Sequence, residues 1–161
     1  MKNYIDTTLL ASLKGRFPFV SYDPEAAQPA LYVPAEGLLE LLAFLRDYET
    51  CRFTRLEDLT AVDYKEYFEM VYHLFSLENM TWIVVKVKLE PAQPVVPSVT
   101  SVFHSAEFEE REVYDLMGID FTGHPDLRRI LLADDFVGHP LRKDYKQELP
   151  PVVPRIRKGG C

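Results

Sequence analysis

Between Glu107 and Tyr145 the chain concentrates the side chains whose types and spacing could do chemistry. Glu107, Glu109, Glu110, Glu112 and Asp115 are crowded into one short stretch. His124 and His139 each occupy a Gly-His-Pro triplet, and Arg111, Arg128, Arg129, Arg142 and Lys143 supply the opposing charge. Paired carboxylates can act as general acid and base, but only where they converge on a pocket. Adjacent helix positions point in different directions. A free-standing acid–base enzyme using Glu109, Glu110 or Glu112 therefore needs a concave site built around them by other elements. The histidines are poor metal candidates. His124 and His139 stand 15 positions apart (139 minus 124), His73 and His104 have no ligand spacing with them, and there is no Cys-x-x-Cys or His-x-x-x-His. A Gly-His-Pro turn reads more simply as a turn whose imidazole hydrogen-bonds backbone or carboxylate. Cys51 alone cannot hold an iron–sulfur cluster, which needs about four ligands. No glycine-rich phosphate loop followed by lysine offers a place for NAD, FMN or ATP. The residues thus point to no catalytic, metal or cofactor site on this chain.

What must position the charges is a helix over 105–117. Ser105 can cap its start, Glu107 suits the first turn, and Gly118 can end it. Ala106, Val113 and Met117 share one face with Glu110, while Arg111, Glu112 and Asp115 lie roughly opposite beside Phe108. Glu107–Arg111 and Arg111–Asp115 are i,i+4 pairs, each worth about 0.3 kcal/mol on an exposed helix. An acid on the apolar side and an aromatic on the polar side suit a helix wedged between two bodies. The two Gly-His-Pro turns each launch a basic segment, and arginine can hold register through bidentate carboxylate contacts. Each turn is read as fixing its cations against acidic groups of a neighbour.

Upstream, residues 3–14 suit a short helix on Leu9, Leu10 and Leu13, and 17–22 and 30–33 suit short strands around a 23–29 loop. Pro34 opens a helix on Leu38, Leu41, Leu42 and Leu45, spaced to cover a sheet. Three strands follow, over 53–63, 67–77 and 82–90. The second is apolar on both faces and reads as the central strand. The third alternates, with Ile83, Val85, Val87 and Leu89 inward and Lys86, Lys88 and Glu90 toward solvent. Pro91, Pro94 and Pro97 break regular structure, with Val95 and Val96 extended between them, and a short helix is expected from Pro97 through Phe103. The fold class expected is α+β, a mixed, largely antiparallel sheet covered by helices. Residues 1–117 form the core domain. Residues 118–161 form an extended, proline-punctuated, charged arm that must lie on another surface. From Leu141 onward the arm carries Arg142, Lys143, Lys146, Arg155, Arg157 and Lys158 against Asp144 and Glu148.

With 161 residues, 47% hydrophobic and 12% aromatic, the chain suits one folded domain. A net charge of −7 argues against a general nucleic-acid binder. Cys51 and Cys161 are far apart and unpatterned, which suits a reducing compartment. No apolar run is long enough to span a bilayer, and the first residues lack a signal-peptide core, so a soluble cytoplasmic protein is expected.

The string Glu110-Arg111-Glu112-x-x-Asp115-Leu116-Met117, followed by His124 and Arg128-x-Ile130-Leu131, resembles the signature of the 30 kDa subunit of respiratory complex I, the C subunit of the bacterial NADH-quinone oxidoreductase. Gly138-His139-Pro140-Leu141-Arg142-Lys143-Asp144-Tyr145 resembles the family's C-terminal motif. Asp58-Leu59-Thr60-x-Val62-Asp63 and Val71-Tyr72-His73-Leu74-x-Ser76-Leu77 extend the likeness over about 34–147.

The resemblance implies a non-redox subunit of the peripheral arm of an NADH:quinone oxidoreductase (translocase), without a catalytic site of its own. Its partners would be the hydrogenase-like, 49 kDa-type large subunit and neighbouring iron–sulfur subunits, near the quinone site. The iron–sulfur clusters, donor cofactor and quinone would belong to the assembly. The chain would lie peripherally on the cytoplasmic side of the membrane, reaching it only through the complex. Glu110, Arg111, Glu112, Asp115, His124, Arg128, Arg129, His139, Arg142 and Lys143 would brace the join. Interfacial charges set orientation more dependably than affinity. Related subunits of F420H2 dehydrogenases and membrane-bound [NiFe] hydrogenases share the resemblance. The acid–base enzyme, and a stand-alone binding module with its arm folded back, are the alternatives of other classes.

Overall fold

A computed structural model of the chain describes residues 7–24, 29–50 and 52–146. The start of the expected first helix, most of the 23–29 loop, Cys51, Cys161 and the basic residues Arg155, Arg157 and Lys158 lie outside the described residues. The elements are α1 (Thr7–Arg16), β1 (Ser21–Asp23), β2 (Ala30–Tyr32), a 3-10 turn (Ala35–Gly37), α2 (Leu38–Asp47), β3 (Arg55–Asp63), β4 (Phe68–Ser76), β5 (Thr81–Leu89), β6 (Val95–Pro97), α3 (Ala106–Met117) and β7 (Asp120–Thr122).

A five-stranded sheet runs β1-β2-β5-β4-β3, and β6 and β7 form a second, two-stranded sheet. The β3–β4 and β4–β5 ladders are antiparallel; β2 joins β5 in parallel. The α+β class and the mixed, largely antiparallel sheet are therefore as expected. β4 is interior, with buried residues on both faces, but the middle of the sheet is β5, because β2 returns to pair with it. On the covered face Phe68, Met70, Tyr72, Leu74, Ile83, Val85, Val87 and Leu89 meet the α2 leucines and Leu9 and Leu13 of α1. Leu38, Leu41, Leu42 and Leu45 of α2 are all fully buried, each contributing about 2 kcal/mol.

The other face of the hairpin departs from a simple solvated surface. Ala30, Val71 and Val84 form a second apolar cluster flanked by Tyr32 and Trp82. Lys86 is only 14% exposed there and pairs with the buried Glu69 at 2.8 Å. Burial weighs most on the Lys86 ammonium, pushing its pKa down, but the Glu69 bond and charge outweigh it and leave it raised.

The largest differences lie after Glu90. No helix runs from Pro97. Val95 and Val96 are extended as expected, but with Pro97 they form a strand paired in parallel with Asp120–Thr122, and 98–105 is a run of turns. Val96, Val99 and Phe103 are buried in the main core, as are Ile119 and Phe121. The expected domain boundary at residue 117 thus falls inside a packed unit, because β7 completes a sheet begun 25 residues earlier (120 minus 95). The downstream segment to Lys146, with little regular structure, lies against α3 and β3 of the same chain.

Candidate functional site

The motif residues converge on α3. Ser105 occupies the N-cap position, but its side chain makes no capping bond; the first turn is entered through Ala106 N–H to Phe103 O and Glu107 N–H to His104 O. Gly118 ends the helix in the left-handed conformation, φ +67°, with its N–H on Tyr114 O. An L side chain there would be strained, and a Cβ would meet the His139 ring at 2.5 Å.

The last carbonyls of a helix have no intrahelical donors. Here the second Gly-His-Pro motif supplies them. His139 Nδ1–H donates to Asp115 O at 2.9 Å, and Leu141 N–H to Leu116 O at 3.0 Å. Arg142 donates from Nε to Met117 O at 2.6 Å and from Nη2 to Gly118 O at 3.0 Å. Its guanidinium also lies 5.1 Å from the Phe68 ring centre. A cation at the negative end of the helix dipole adds favourable electrostatics. The next residue, Lys143, donates its N–H to Asp63 Oδ2 at 2.7 Å, tying the segment to the end of β3. Asp63 Oδ1 accepts from Lys65 N–H. Burial pushes the Asp63 carboxyl up most strongly, but the two N–H donors and the nearby Lys143 and Arg142 charges hold it below its ordinary value.

Asp115 is the hub of the central contact. It is fully buried. Its Oδ1 accepts from Arg129 Nη1 at 2.8 Å, and its Oδ2 accepts the N–H groups of Ile130, Leu131 and Leu132 at 3.1, 2.9 and 2.9 Å. Burial is the largest single influence on this carboxyl and pushes its pKa up. The three N–H groups and the guanidinium together win, and its pKa lies below the ordinary value. Arg129 also donates Nη2–H to Gly138 O at 3.3 Å, so one side chain links both motifs. Arg111 does not make the expected i,i+4 pairs. It is buried, and it donates to Arg128 O at 3.2 Å and Arg129 O at 3.4 Å.

The first Gly-His-Pro motif closes the other end. His124 Nε2 lies 3.1 Å from Glu107 O, and its Nδ1 accepts Asp126 N–H at 3.0 Å. Both imidazoles thus serve turns and helix carbonyls. Glu110 is fully buried beneath, with Oε1 accepting Val99 N–H at 2.7 Å. Burial pushes the Glu110 carboxyl up, partly offset by hydrogen bonds from Ser98 and Val99. Glu109 faces β3; burial and the Asp58 charge push its pKa up to about 7, against a hydrogen bond from the Leu59 backbone.

Of the residues expected at a join, Glu110, Arg111, Asp115, His124, Arg129, His139 and Arg142 are engaged within the chain, fastening 119–143 to α3. Glu112, Arg128 and Lys143 point their side chains to solvent. Arg128 is held by Asp126 at 2.9 Å on the surface. Asp63, Gly118, Tyr72 and Ser98 belong to the same constellation, and sequence reasoning does not pick them out as site residues. The one clue to Asp63 is its place at the end of the Asp58–Asp63 motif block. Concavities of about 610 and 320 Å3 open beside this segment, sharing Arg142 and Asp144. Neither is lined by Glu109, Glu110 or Glu112. Among the described residues no group of three or more His, Cys, Asp and Glu side chains could hold a metal ion, and no helix is long and apolar enough to cross a membrane.

The family described as "Respiratory-chain NADH dehydrogenase, 30 Kd subunit" matches residues 31–150. The chain is 49% identical over 148 residues to the C subunit of the NADH-quinone oxidoreductase of Moorella thermoacetica, covering 91% of this chain and 95% of that one. Among solved structures it is similar to a chain of the membrane-bound sulfane sulfur reductase, an archaeal respiratory membrane complex. That likeness has a TM-score of 0.73 and 27% identity over 86% of this chain and 84% of that one. It is also similar to a trypsin-resistant fragment of Nqo5, with a TM-score of 0.61 and 32% identity, covering 73% of this chain and 97% of that one. The chain belongs to the family of the 30 kDa subunit of the respiratory-chain NADH dehydrogenase.

Proposed function

We propose that the chain is a non-redox structural subunit of the peripheral arm of a complex I-type NADH:quinone oxidoreductase. In this reading it braces the hydrogenase-like large subunit near the quinone site and lies on the membrane's cytoplasmic side through its partners. The observation that carries the reading is the near end-to-end match to the Moorella NADH-quinone oxidoreductase chain. The geometry supports a division of labour. The internally bonded cations and acids shape the 119–143 segment, and Glu112, Arg128 and Lys143, together with the exposed Phe108, Leu131, Val137 and Leu141, meet the large subunit. Exposed apolar residues beside a charged rim suit a protein interface. The iron–sulfur clusters, donor cofactor and quinone belong to neighbouring chains. A second reading, an equivalent subunit of a related respiratory complex such as an F420H2 dehydrogenase or membrane-bound [NiFe] hydrogenase, is favoured by the likeness to the sulfane sulfur reductase chain.

The test is gentle affinity purification from membranes followed by mass spectrometry. Co-purification of a hydrogenase-like large subunit with iron–sulfur subunits is expected, and the donor subunit recovered separates the two readings. A chain recovered alone overturns both.

A further inference from the structure

Several polar groups meet inside the domain without a cation to balance them. Glu110 Oε2 and the hydroxyl of the fully buried Tyr72 on β4 are both buried and without a hydrogen-bond partner. They are neighbours: burial and the Glu110 charge both push the Tyr72 pKa up. His124 brings Nε2 to 3.9 Å from Glu110 Oε2. That distance alone would suit an ion pair, but the hydrogen bonds argue against it. Nδ1 of His124 accepts the Asp126 N–H, so that nitrogen carries a lone pair. Nε2 then carries the proton, and Glu107 O is its acceptor. A ring that accepts at one nitrogen and donates at the other is uncharged. The adjacent cation, Arg111, is turned away to the carbonyls of residues 128 and 129. Glu109, next on the helix, contributes only repulsion. What faces Glu110 from the 98–99 loop is a hydroxyl and a backbone N–H, both neutral.

An ionised carboxylate with one oxygen unpartnered in such a place bears a desolvation cost that two neutral donors only partly offset. We infer that Glu110 is carried in the folded domain as a neutral carboxylic acid with its proton on Oε2. In that form it is a positioning residue that joins α3 to the 98–99 loop beneath the His124 turn. This does not depend on which assembly the chain enters. The direction of the pH dependence follows. A carboxyl whose pKa is raised by folding contributes stability in full below its ordinary value of 4.5, and the contribution is lost as pH rises through the folded value. Alkali, rather than acid, loosens α3 from its loop.

The test uses the full chain and its Glu110→Gln, Glu110→Ala and Glu109→Gln variants. Thermal unfolding is followed from about pH 5 to pH 9, with infrared spectra of the folded state. Glu110→Gln, uncharged and isosteric, is expected to keep Tm within about 3 °C of the parent at the acid end and to exceed it at the alkaline end. Glu110→Ala is expected to lower Tm by roughly 5–10 °C at the acid end, with the gap narrowing toward alkali. The Glu109→Gln chain, free of the other raised carboxyl, is expected to show a carboxylic-acid C=O band at neutral pH that adding Glu110→Gln removes. Absence of that band in the Glu109→Gln chain, or a Glu110→Gln chain as destabilised as Glu110→Ala across the range, overturns the inference.

Discussion

Removing the Asp115 carboxylate tests whether the closing segment is held by this hub. Asp115→Ala leaves the N–H groups of residues 130–132 without their acceptor and Arg129 Nη1 with only the residue-115 carbonyl, at 3.5 Å. Hydrogen bonds to a charged group are worth about 1.5–3 kcal/mol each, but four around one atom pair are not additive. Two observations set the discount. Leu131 is 60% exposed and the Arg129 side chain 18% exposed, so water can take up part of what is lost. The cost of breaking a buried ion pair, about 3–5 kcal/mol, is the better ceiling, and about 3 kcal/mol is expected. For a chain of this size that is a fall in Tm of roughly 6–12 °C. Calorimetry of Asp115→Ala, Arg129→Ala and the double variant should show a coupling of about 1–3 kcal/mol. Limited proteolysis should cut faster at Arg128 and Arg129. The carboxyl's pKa is depressed on folding, so its contribution is present above the ordinary value of 3.8 and disappears as pH falls through the folded value. A Tm within about 2 °C of the parent together with unchanged proteolysis would refute the hub.

The helix end offers a paired comparison. Gly118→Ala combines a left-handed backbone with a Cβ driven into His139, and is expected to cost at least about 2 kcal/mol in chemical unfolding. Gly123→Ala, at φ +82° with open space around its Cβ, should cost only the strain, about 1 kcal/mol. Equal losses would remove the packing half of that account. Glu109→Gln tests the acid facing β3. Its carboxyl is raised to about 7 by burial and then by Asp58, so the parent's stabilisation is complete below 4.5 and lost as pH rises through about 7. The variant should match the parent in acid and exceed it by about 1 kcal/mol above neutrality, discounted for solvent screening at a half-buried site; no gain there would refute the assignment.

Taken together, these contacts explain why one stretch carries so many charges. Each cation or acid of the two motifs that turns inward satisfies a backbone group that α3 or its neighbouring turns would otherwise bury unpaired. Arg142 and His139 cap the helix, Asp115 gathers three N–H groups, and Arg111 holds two carbonyls. A segment with few apolar residues thereby acquires a defined path without a core of its own.

The sequence by itself determined whatever repeats with a local period. The leucine spacing of α2, the two-faced apolarity of β4, the alternation of β5 and the glycine stop of α3 were legible because each reports a face or an end of one element. The ordered motifs carried the family. The tertiary structure decided the rest. Three-residue strands paired in parallel across a long interval have no local signature, so β6 read as an extended stretch running into a helix start and β7 as part of an arm, with nothing to pair them. The type of a charged side chain says nothing about its partner. Arg111 and Asp115, placed for an exposed i,i+4 pair, are buried and turned to the backbone of residues 128–132, because the returning chain offers unpaired carbonyls and N–H groups that must be met once water is excluded.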